Sequence, residues 1–436
     1  MNDKDAPARI TIPQTVLPLP GALNKTPYFI SNSPEMVLKS GVLVSTFNGA
    51  GKAHPKAHLD FPLSGNIDVF FHHVTNVLKA EKSHTLYLGL AIGNGSDHKV
   101  NVIIDEAVSY ATKPDSPFTV LNAVLENDNG KIHSGPGDRV MLDMLRGHKQ
   151  HGWDHSIHLN PGEIKMIYSL PLHVNSLLHP LNGRTGLIRM STNGPVYLAS
   201  LSAFAKSSLF KGESKPKLSD WTKILDDSPL VEPRDKVPTA PGAKGALIYG
   251  RVAGVAEGSR WTGTLANNAE KNRLTLKPEE MVSFPISTVT GGTLGTNQVQ
   301  AAPMVMRYSD TAYEAHGNYG VDYDLTLPLF NGSDADLAVG VSFQTPLKDW
   351  NTKSSLQFFS DPPDHVFFRG TIEFAWTDEH AKSQRKLVHL VEKRGEAVQP
   401  LIELQLKPGE LKDVRVRFLY PADCTPPQVL TITTRT

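Results

Sequence analysis

The sequence is poor in features that point directly to a function: it has one cysteine, no net charge and no long apolar run. The single cysteine, Cys424, excludes an intrachain disulfide, so the packing of large cores must stabilise the fold. Lysine and arginine together number 44, as do aspartate and glutamate, and no block of like charge appears. This balance argues against a nucleic-acid partner or a polybasic membrane surface. The apolar runs are far shorter than the ~20 residues of a spanning helix, so we expect no transmembrane segment.

Motifs for cofactor and nucleophile chemistry are missing as well. The glycine-containing loop at residues 48–55 invites comparison with a phosphate-binding loop. However, Thr46 and Ala53 stand where that motif needs a glycine and a serine or threonine, so we predict a turn. There is no Gly-x-Ser-x-Gly sequence, and Cys424 lies in a proline-flanked turn. We therefore expect no cofactor and a structural role for this cysteine.

The length of 436 residues is too great for one ordinary core and suits two or three domains. Short segments of alternating polarity, separated by turn residues, predict an all-β fold with a few short helices. We predict an extended N-terminal strap (1–40), a first β-sandwich-like domain (41–226), a proline-rich linker (227–245) and a second β-sandwich-like domain (246–436). Short helices are expected near Asn32 or Ser33, from Asp138 to a stop at Gly147, and at residues 219–226.

Turn sequences occur in the same order in both halves. An Asn-Gly-Ser-Asp turn begins at Asn94 and again at Asn331, and a Pro-Gly-Glu turn begins 67 and 77 residues later, at Pro161 and Pro408. Flanked by alternating segments, these turns predict β-hairpins, as does Asn193-Gly194. The shared order favours an internal duplication of one sandwich. The alternative is that they are the common turns of any all-β protein.

Polar, aromatic and ionisable side chains concentrate in residues 307–324, where Gly317 and Gly320 allow a sharply bent loop. Aromatic rings stack on sugars and charged groups bond to sugar hydroxyls, so this composition is typical of a carbohydrate site. Two residues of an earlier segment, Arg251 and Trp261, could line the same surface. The candidate ligand-binding residues are Arg307, Asp310, Tyr313, His316, Tyr319, Arg251 and Trp261.

Two alternatives to glycan binding are open for this stretch. A glycan-cleaving enzyme would need two carboxyl groups across the scissile bond, which makes Asp310 and Glu314, with His316, the candidate catalytic residues. The other alternative is a structural loop in which Arg307 pairs with Asp310 and the tyrosines pack beneath it. In that case Arg251 and Trp261 are a surface arginine and a core tryptophan.

Histidines concentrate between residues 148 and 158. Imidazole and carboxylate groups suit Zn²⁺ or Cu²⁺, so His148, His151 and His155 are candidate metal ligands. A strand is predicted here, and it would place His155 and His158 on opposite faces, where they cannot share one ion. We therefore predict solvated loop histidines and no metal site.

Four segments are distinctive in wording: PLNGRTGLIRMSTNGPVYLASLSAF, YGRVAGVAEGSRW, LGTNQVQAAPMVMRYSDTAYEAHGNYG and VFFRGT. They resemble a cyanobacterial protein family catalogued as a domain of unknown function, and the resemblance extends from about Leu17 to Thr433. It implies a cyanobacterial source and export toward the periplasm or cell surface, and it offers no functional residue to transfer.

The N-terminal residues lack the basic segment and apolar core of a secretory signal, so we expect any export signal to have been removed. A cytoplasmic location is the alternative. We predict a non-enzymatic exported or cell-envelope protein that binds a glycan or assembles with itself. The alternative function is a glycan-active hydrolase or lyase that uses residues 307–324.

Overall fold

β-Strands make up about half of the described chain and are its main element, as the alternating pattern predicts. The computed structural model describes residues 7–76, 85–174, 181–208, 212–267 and 272–436. Those residues include two α-helices, α1 (Pro136–Leu145) and α2 (Leu218–Asp227), and a 3₁₀ helix at Pro55–Ala57. The fold class is the predicted one, all-β with a few short helices.

Strands are distributed over both halves of the chain. In the first half they are β1 (Arg9–Pro13), β2 (Thr15–Val16), β3 (Ala22–Leu23), β4 (Pro27–Ser31), β5 (Gly41–Ser45), β6 (Leu63–Asn76), β7 (Thr85–Gly93), β8 (Val100–Ala111), β9 (Val124–Glu126), β10 (Ser156–Leu159), β11 (Ile164–His173), β12 (Leu181–Phe204), β13 (Lys206–Ser208) and β14 (Gly212–Ser214). In the second half they are β15 (Ala253–Glu257), β16 (Arg260–Thr264), β17 (Leu274–Leu276), β18 (Met281–Ile286), β19 (Ala302–Arg307), β20 (Glu314–Ala315), β21 (Asp322–Asn331), β22 (Leu337–Gln344), β23 (Ser355–Phe359), β24 (Val366–Thr377), β25 (Ser383–Lys393), β26 (Ile402–Leu406), β27 (Leu411–Leu419) and β28 (Gln428–Arg435).

The first half is a two-layered β-structure built around the long strand β12. The N-terminal part of β12 pairs with β6 and β8, and its C-terminal part pairs with β5 and β7. A shift in register between Thr192 and Val196 separates the two parts. Asn193-Gly194 is therefore a bulge within one strand, and the hairpin predicted there is wrong. Side chains of β6, β7 and β8, among them Val69, Leu88 and Val102, share one core.

The second half contains two sheets that pack face to face. One has the strand order β3-β16-β21-β27-β24-β25-β9, with β17 also paired to β21, and the other has the order β2-β18-β28-β22-β26. Phe343 of β22 packs against Phe368 of β24 and Phe418 of β27, with ring centroids 4.8 and 5.4 Å apart. Contacts of this kind between inner faces form the core of a β-sandwich.

Several sheets combine strands that lie before and after the predicted linker at residues 227–245. β4 pairs with both β6 and β15, so β15 and β19 extend a first-half sheet. The predicted strap, whose first six residues lie outside the described ones, gives β1, β2 and β3 to pairs with β23, β18 and β16. Helix α1 packs against β8 and β12 and also against β24 and β27. The division into domains at 41–226 and 246–436 stays a prediction.

The Asn-Gly and Pro-Gly turns connect strands of different pairs, so the hairpins predicted at these turns are wrong. β7 pairs with β11, whereas β8 pairs with β10. In the same way β21 pairs with β27, whereas β22 pairs with β26. Each turn leads the chain from one layer of a sandwich to the other. Alternating polarity cannot distinguish a hairpin from a crossing between layers, because each strand has one buried face in both arrangements.

Asn94 and Asn331 make the same hydrogen bonds at these crossings. The side-chain oxygen of Asn94 accepts from the backbone N–H and the hydroxyl of Ser96, at 2.9 and 2.7 Å. The side-chain oxygen of Asn331 accepts from the same groups of Ser333, at 2.9 and 2.8 Å. Each side-chain amide donates to the carbonyl four residues on, at 2.6 Å in the first half and 2.8 Å in the second.

The Pro-Gly-Glu turns bind the same asparagines in the same way. The backbone N–H of Asn94 donates to the Glu163 carbonyl, and that of Asn331 donates to the Glu410 carbonyl, both at 3.0 Å. The N–H of the turn glycine donates to the asparagine carbonyl at 2.9 Å in both halves. The two halves therefore contain one four-strand crossing unit each, with matching hydrogen bonds.

The helix predictions differ in outcome. The helix expected from Asp138 is α1, which begins two residues earlier, at Pro136. Asp138 lies in its first turn and accepts from the Ser134 N–H at 2.7 Å. Beyond its end Gly147 has a φ of +68°. The helix predicted at residues 219–226 is α2, whereas Asn32 and Ser33 follow β4 without forming a helix. No helix within the described residues combines the length and apolar content needed to cross a membrane.

Candidate functional site

Residues 307–324 form an ordered loop between β19 and the start of β21. The Arg307 guanidinium donates to two carbonyl oxygens of its own turn, those of Tyr308 and Thr311, at 2.8 and 2.6 Å. It also lies 3.7 Å from the centroid of the Tyr313 ring. Tyr308 is buried, and its hydroxyl donates to the Ala57 carbonyl at 2.8 Å. These contacts anchor the loop to itself and to the first half.

Asp310 pairs with Arg234 of the linker, and not with Arg307 as the structural alternative supposed. The Arg234 guanidinium donates to both carboxylate oxygens, at 2.8 and 3.2 Å. Burial alone would raise the pKa of Asp310, but the hydrogen bonds and charge of Arg234 outweigh it and lower the pKa. A carboxylate held in this way is poorly suited to act as a general acid.

The two aspartates at the end of the loop are also ion-paired. Asp322 is fully buried and is surrounded by three arginines. Its partners are Arg417, Arg189 and Arg260, at 2.7, 3.0 and 3.2 Å. Burial raises the pKa of Asp322, but the hydrogen bonds of Arg417 and the arginine charges outweigh it and lower the pKa. Asp324 accepts two hydrogen bonds from Arg415, both at 2.6 Å.

Three predicted residues, Tyr313, Glu314 and His316, come together with Tyr249 in a groove of about 310 Å³. We call this surface the linker groove. Its other wall is the C-terminal end of the proline-rich segment, residues 239–249, which is closed by a hydrogen bond from the Thr239 N–H to the Ile248 carbonyl at 2.8 Å. Leu247 and Ile248 in this wall are exposed, so the groove offers an aromatic and apolar surface to solvent.

The polar groups of the linker groove offer acceptors. No described residue donates a hydrogen bond to the Glu314 carboxylate, and burial raises its pKa. His316 Nε2 donates to the Gly250 carbonyl at 2.6 Å, and burial lowers the pKa of the ring. The neutral ring then keeps Nδ1 as an acceptor. The His316 ring lies 5.0 Å from that of Tyr249.

The other predicted ligand residues lie outside the groove. Trp261 is in the second-half core, where its Nε1 donates to the Pro20 carbonyl at 3.0 Å. Tyr319 packs against the same core and its hydroxyl donates to the Cys424 carbonyl at 3.2 Å. Arg251 forms an ion pair with Glu35. Trp261 is therefore unavailable to stack on a ligand, and Arg251 has a structural partner.

The histidines of the predicted metal site are spread over separate contacts. His148 lies 3.3 Å from Asp143, and His155 lies 3.5 Å from the amine of Lys149. His151 lines a different cavity, within the first half. No group of three histidine, cysteine, aspartate or glutamate side chains in the described ranges is arranged to hold a metal ion.

The first-half cavity has a volume of about 870 Å³ and was not predicted from the sequence. We call it the basic cleft, and its defining residues are Arg139, Trp153, Lys165, Tyr168, Arg184 and Lys215. These residues come from α1, β11, β12 and two loops, so no short sequence window contains them. Trp153 next to the histidines was the one available signal. In the linker groove, Tyr249 was missed because it stands alone after the proline-rich segment.

Fold and site together define an all-β protein of two sandwich-like halves with an aromatic groove beside the segment that joins them. The chain belongs to the family described as "Protein of unknown function (DUF3370)", whose model matches residues 14–434. This confirms the resemblance to a domain of unknown function. No curated protein matches the sequence.

Among solved structures, the chain matches the crystal structure of Lac15 from a marine microbial metagenome with 8% sequence identity and a TM-score of 0.10. The match covers 82% of this chain and 50% of that chain, so this protein spans half the length of Lac15.

Proposed function

We propose that the protein binds a neutral glycan in the linker groove and does not cleave it. The observation that carries the proposal is the Glu314 carboxylate, which is partly buried and accepts no hydrogen bond from any described residue. The carboxylate lines the groove and can still accept hydrogen bonds, and a ligand rich in hydroxyl groups would supply the donors.

The rest of the groove supports a sugar as the ligand class. Tyr313 is held from one side by Arg307 and lines the groove, which gives a preoriented ring for stacking. Leu247 and Ile248 add exposed apolar surface. No lysine or arginine is among the described residues that line the groove, so a neutral glycan fits better than an acidic one.

The ion pairs of the loop favour binding over cleavage. Asp310, Asp322 and Asp324 each bind at least one arginine, so Glu314 is the carboxylate of the loop that remains without a cationic partner. A glycoside hydrolase places two carboxyl groups across the scissile bond. The hydrolase or lyase alternative would therefore have to break the Asp310–Arg234 pair first.

The proposal is tested first on an array of neutral and acidic glycans, and then by titration calorimetry with the neutral glycan that binds. We expect binding by the wild type. We expect Glu314→Gln to weaken it about 10- to 100-fold, because a hydrogen bond to a charged group contributes about 1.5–3 kcal/mol.

A matched control is Glu379→Gln, which changes a glutamate that is 77% exposed in another turn. This variant is expected to bind like the wild type. No binding to any neutral glycan of the array, or equal affinity of Glu314→Gln and the wild type, would contradict the proposed function.

Self-association is a second candidate, favoured by one edge of a sheet. β9 ends the eight-stranded sheet, and Phe118, Val120 and Val124 on and before it are exposed. Open edges with apolar side chains are templates for pairing with another chain. Size-exclusion chromatography with light scattering tests this role, and a monomer at millimolar concentration would contradict it.

We also propose a location outside the cytoplasm, in the cell envelope. The support is the family resemblance seen in the sequence. Fractionation of cells that express the full-length gene from its own promoter tests the location, and recovery in the cytoplasmic fraction alone would contradict it.

A further inference from the structure

The basic cleft carries an excess of positive charge. Its lining includes four lysine and arginine side chains, Arg139, Lys165, Arg184 and Lys215, and one carboxylate, Asp115. Asp115 is engaged by the chain itself, since it accepts from the Ala111 N–H at 2.8 Å and lies 3.7 Å from Arg184. The cleft therefore has the charge to attract an anion, in contrast to the linker groove.

Arg184 is the cation of the cleft that hydrogen bonds hold most firmly in place. It is nearly buried, and its guanidinium donates to the Pro171 carbonyl at 2.9 Å and to the Ser109 hydroxyl at 3.2 Å. Lys215, by contrast, is exposed and has no partner among the described residues. Lys165 lies 3.3 Å from Glu163. A preoriented guanidinium and an exposed lysine that line the same cleft suit recognition of a planar carboxylate.

The same cleft has aromatic walls with unused donors. Tyr168 is 6% exposed, and its ring lies 4.8 Å from Phe71 and 5.7 Å from Trp153. No described residue hydrogen-bonds to the Tyr168 hydroxyl. The Trp221 indole N–H and the Ser169 hydroxyl are buried without a partner in the described part of the chain. Both groups border the cleft but are covered by protein, so the Tyr168 hydroxyl is the donor of these walls that a ligand with many oxygens would reach.

We propose that the basic cleft binds an acidic oligosaccharide whose sugars carry carboxylate groups. The aromatic walls match the faces of sugar rings, the Tyr168 hydroxyl matches ring and hydroxyl oxygens, and the cations match the uronate charge. The carbohydrate class rests on the proposed function, whereas the charge preference follows from the cleft alone.

The test is titration calorimetry at low ionic strength with tetragalacturonate, and with its fully methyl-esterified form as the uncharged counterpart. We expect the wild type to bind the acid at least about tenfold more tightly than the ester. Added salt should weaken binding of the acid, because salt screens the exposed cations.

Two variants locate the ligand without disturbing buried ion pairs. Lys215→Gln and Tyr168→Phe are each expected to weaken binding of the acid by about three- to tenfold, the loss of one charge or one hydroxyl donor. Lys236→Gln, an exposed lysine of the linker, and Glu314→Gln of the linker groove are expected to leave it unchanged.

No detectable binding of tetragalacturonate, equal binding of its ester, or full affinity in both cleft variants would overturn the inference. Loss of affinity in Glu314→Gln would also overturn it, by placing the acid in the linker groove. A blank neutral-glycan array with normal tetragalacturonate binding would remove the proposed function and leave this inference standing.

Discussion

Asp322 joins the two halves through a buried charge cluster. Its carboxylate is fully buried, and the three arginines around it come from β12, β16 and β27. Arg189 of β12 also pairs with Glu106 at 3.0 Å. Removal of one partner from such a cluster leaves uncompensated charge in a poorly solvated site. The Asp322 carboxylate therefore contributes to the stability of the junction.

We predict that Asp322→Asn lowers the free energy of unfolding by about 3–5 kcal/mol, the usual cost of breaking a buried ion pair. Urea denaturation at neutral pH gives the value. Asp324→Asn is the matched control, because its partner Arg415 is 49% exposed, and its loss should cost less than about 1 kcal/mol. Equal effects of the two variants would show that burial does not govern these pairs.

His73 is buried in the neutral form. Its Nδ1 lies 2.9 Å from the Pro34 carbonyl and its Nε2 lies 2.8 Å from the Ser31 hydroxyl. Burial lowers the pKa of His73 from 6.5 to about 3. As pH falls below 6.5, the unfolded chain takes up a proton at this position before the folded chain does. The stability due to neutral His73 is thus fully present above pH 6.5 and is lost toward pH 3.

We predict that the stability difference between the wild type and His73→Asn shrinks by about 3 kcal/mol between pH 7.5 and pH 4.5. The value follows from about 1.4 kcal/mol for each of two pH units. Urea midpoints at the two pH values measure it. His98→Asn, at a histidine that is 83% exposed, is the surface control. A constant difference for His73→Asn would mean that His73 titrates normally.

At this scale the sequence predicts groups that lie close together in the chain and misses the distant ones. Tyr313, Glu314 and His316 were predicted together and do line one groove. Arg234, which binds Asp310, is 76 residues away, and its proline-rich surroundings looked like a solvated linker. An ion pair across that separation depends on the tertiary fold, so no local pattern could reveal it.

The crossing turns are the elements that the two halves share. Asn94 and Asn331 each accept from the serine two residues on and bind the facing Pro-Gly-Glu turn. Such a match of side-chain and backbone bonds is more specific than a shared turn sequence. We propose that the two halves derive from one duplicated unit. The sequence Val-Phe-Phe occurs in β6 at Val69, before the first crossing turn, and in β24 at Val366, after the second, so the surrounding strands have no simple correspondence.

We predict that Asn94→Ala and Asn331→Ala each lower stability by about 2–4 kcal/mol, because each leaves several buried backbone groups without a partner. Thermal or urea unfolding of both variants measures this. The aspartates of the same tetrapeptides, Asp97 and Asp334, are exposed, and their replacement by alanine should change stability little. An effect in one half only would contradict the equivalence of the two units.

Strands and turns were predicted well at the level of the element, but their partners were not. Alternation around Asn94 located β7 and β8, and a hairpin was the expected connection. The Asn94 side chain instead bonds to a second turn, Pro161-Gly162-Glu163, so the chain crosses between layers. A local pattern of alternating polarity indicates which residues are buried. Which strands pair depends on contacts with distant parts of the chain.

The two halves of the molecule have sheets and core contacts in common. β4 links β6 to β15, and α1 belongs to the first half in sequence yet contributes Val140 and Met144 to the second-half core. Sequence composition placed a linker at residues 227–245, because proline-rich segments bury little. The sheets nevertheless pair strands from both sides of that region, and local composition gives no sign of such long-range pairing.

We predict that the two halves unfold together. Hydrogen exchange measured by mass spectrometry in rising urea should show β7 of the first half and β27 of the second losing protection at one concentration, as expected for a single cooperative unit. Exchange of the exposed residues 244–247, in the wall of the linker groove, serves as the control and should be fast throughout. Loss of protection in one half at clearly lower urea would contradict this and favour independent domains.

The central claim is that the linker groove binds a neutral glycan through Glu314. The most direct test is calorimetric titration of that glycan into the wild type, Glu314→Gln and Asp310→Asn. Mass spectrometry of the solution recovered from the calorimeter then shows whether the glycan has been cleaved. We predict binding by the wild type and by folded Asp310→Asn, weaker binding by Glu314→Gln, and an intact glycan after every titration. The account would be contradicted if the wild type cleaved the glycan and Asp310→Asn did not. Full affinity of Glu314→Gln for the glycan would contradict it as well.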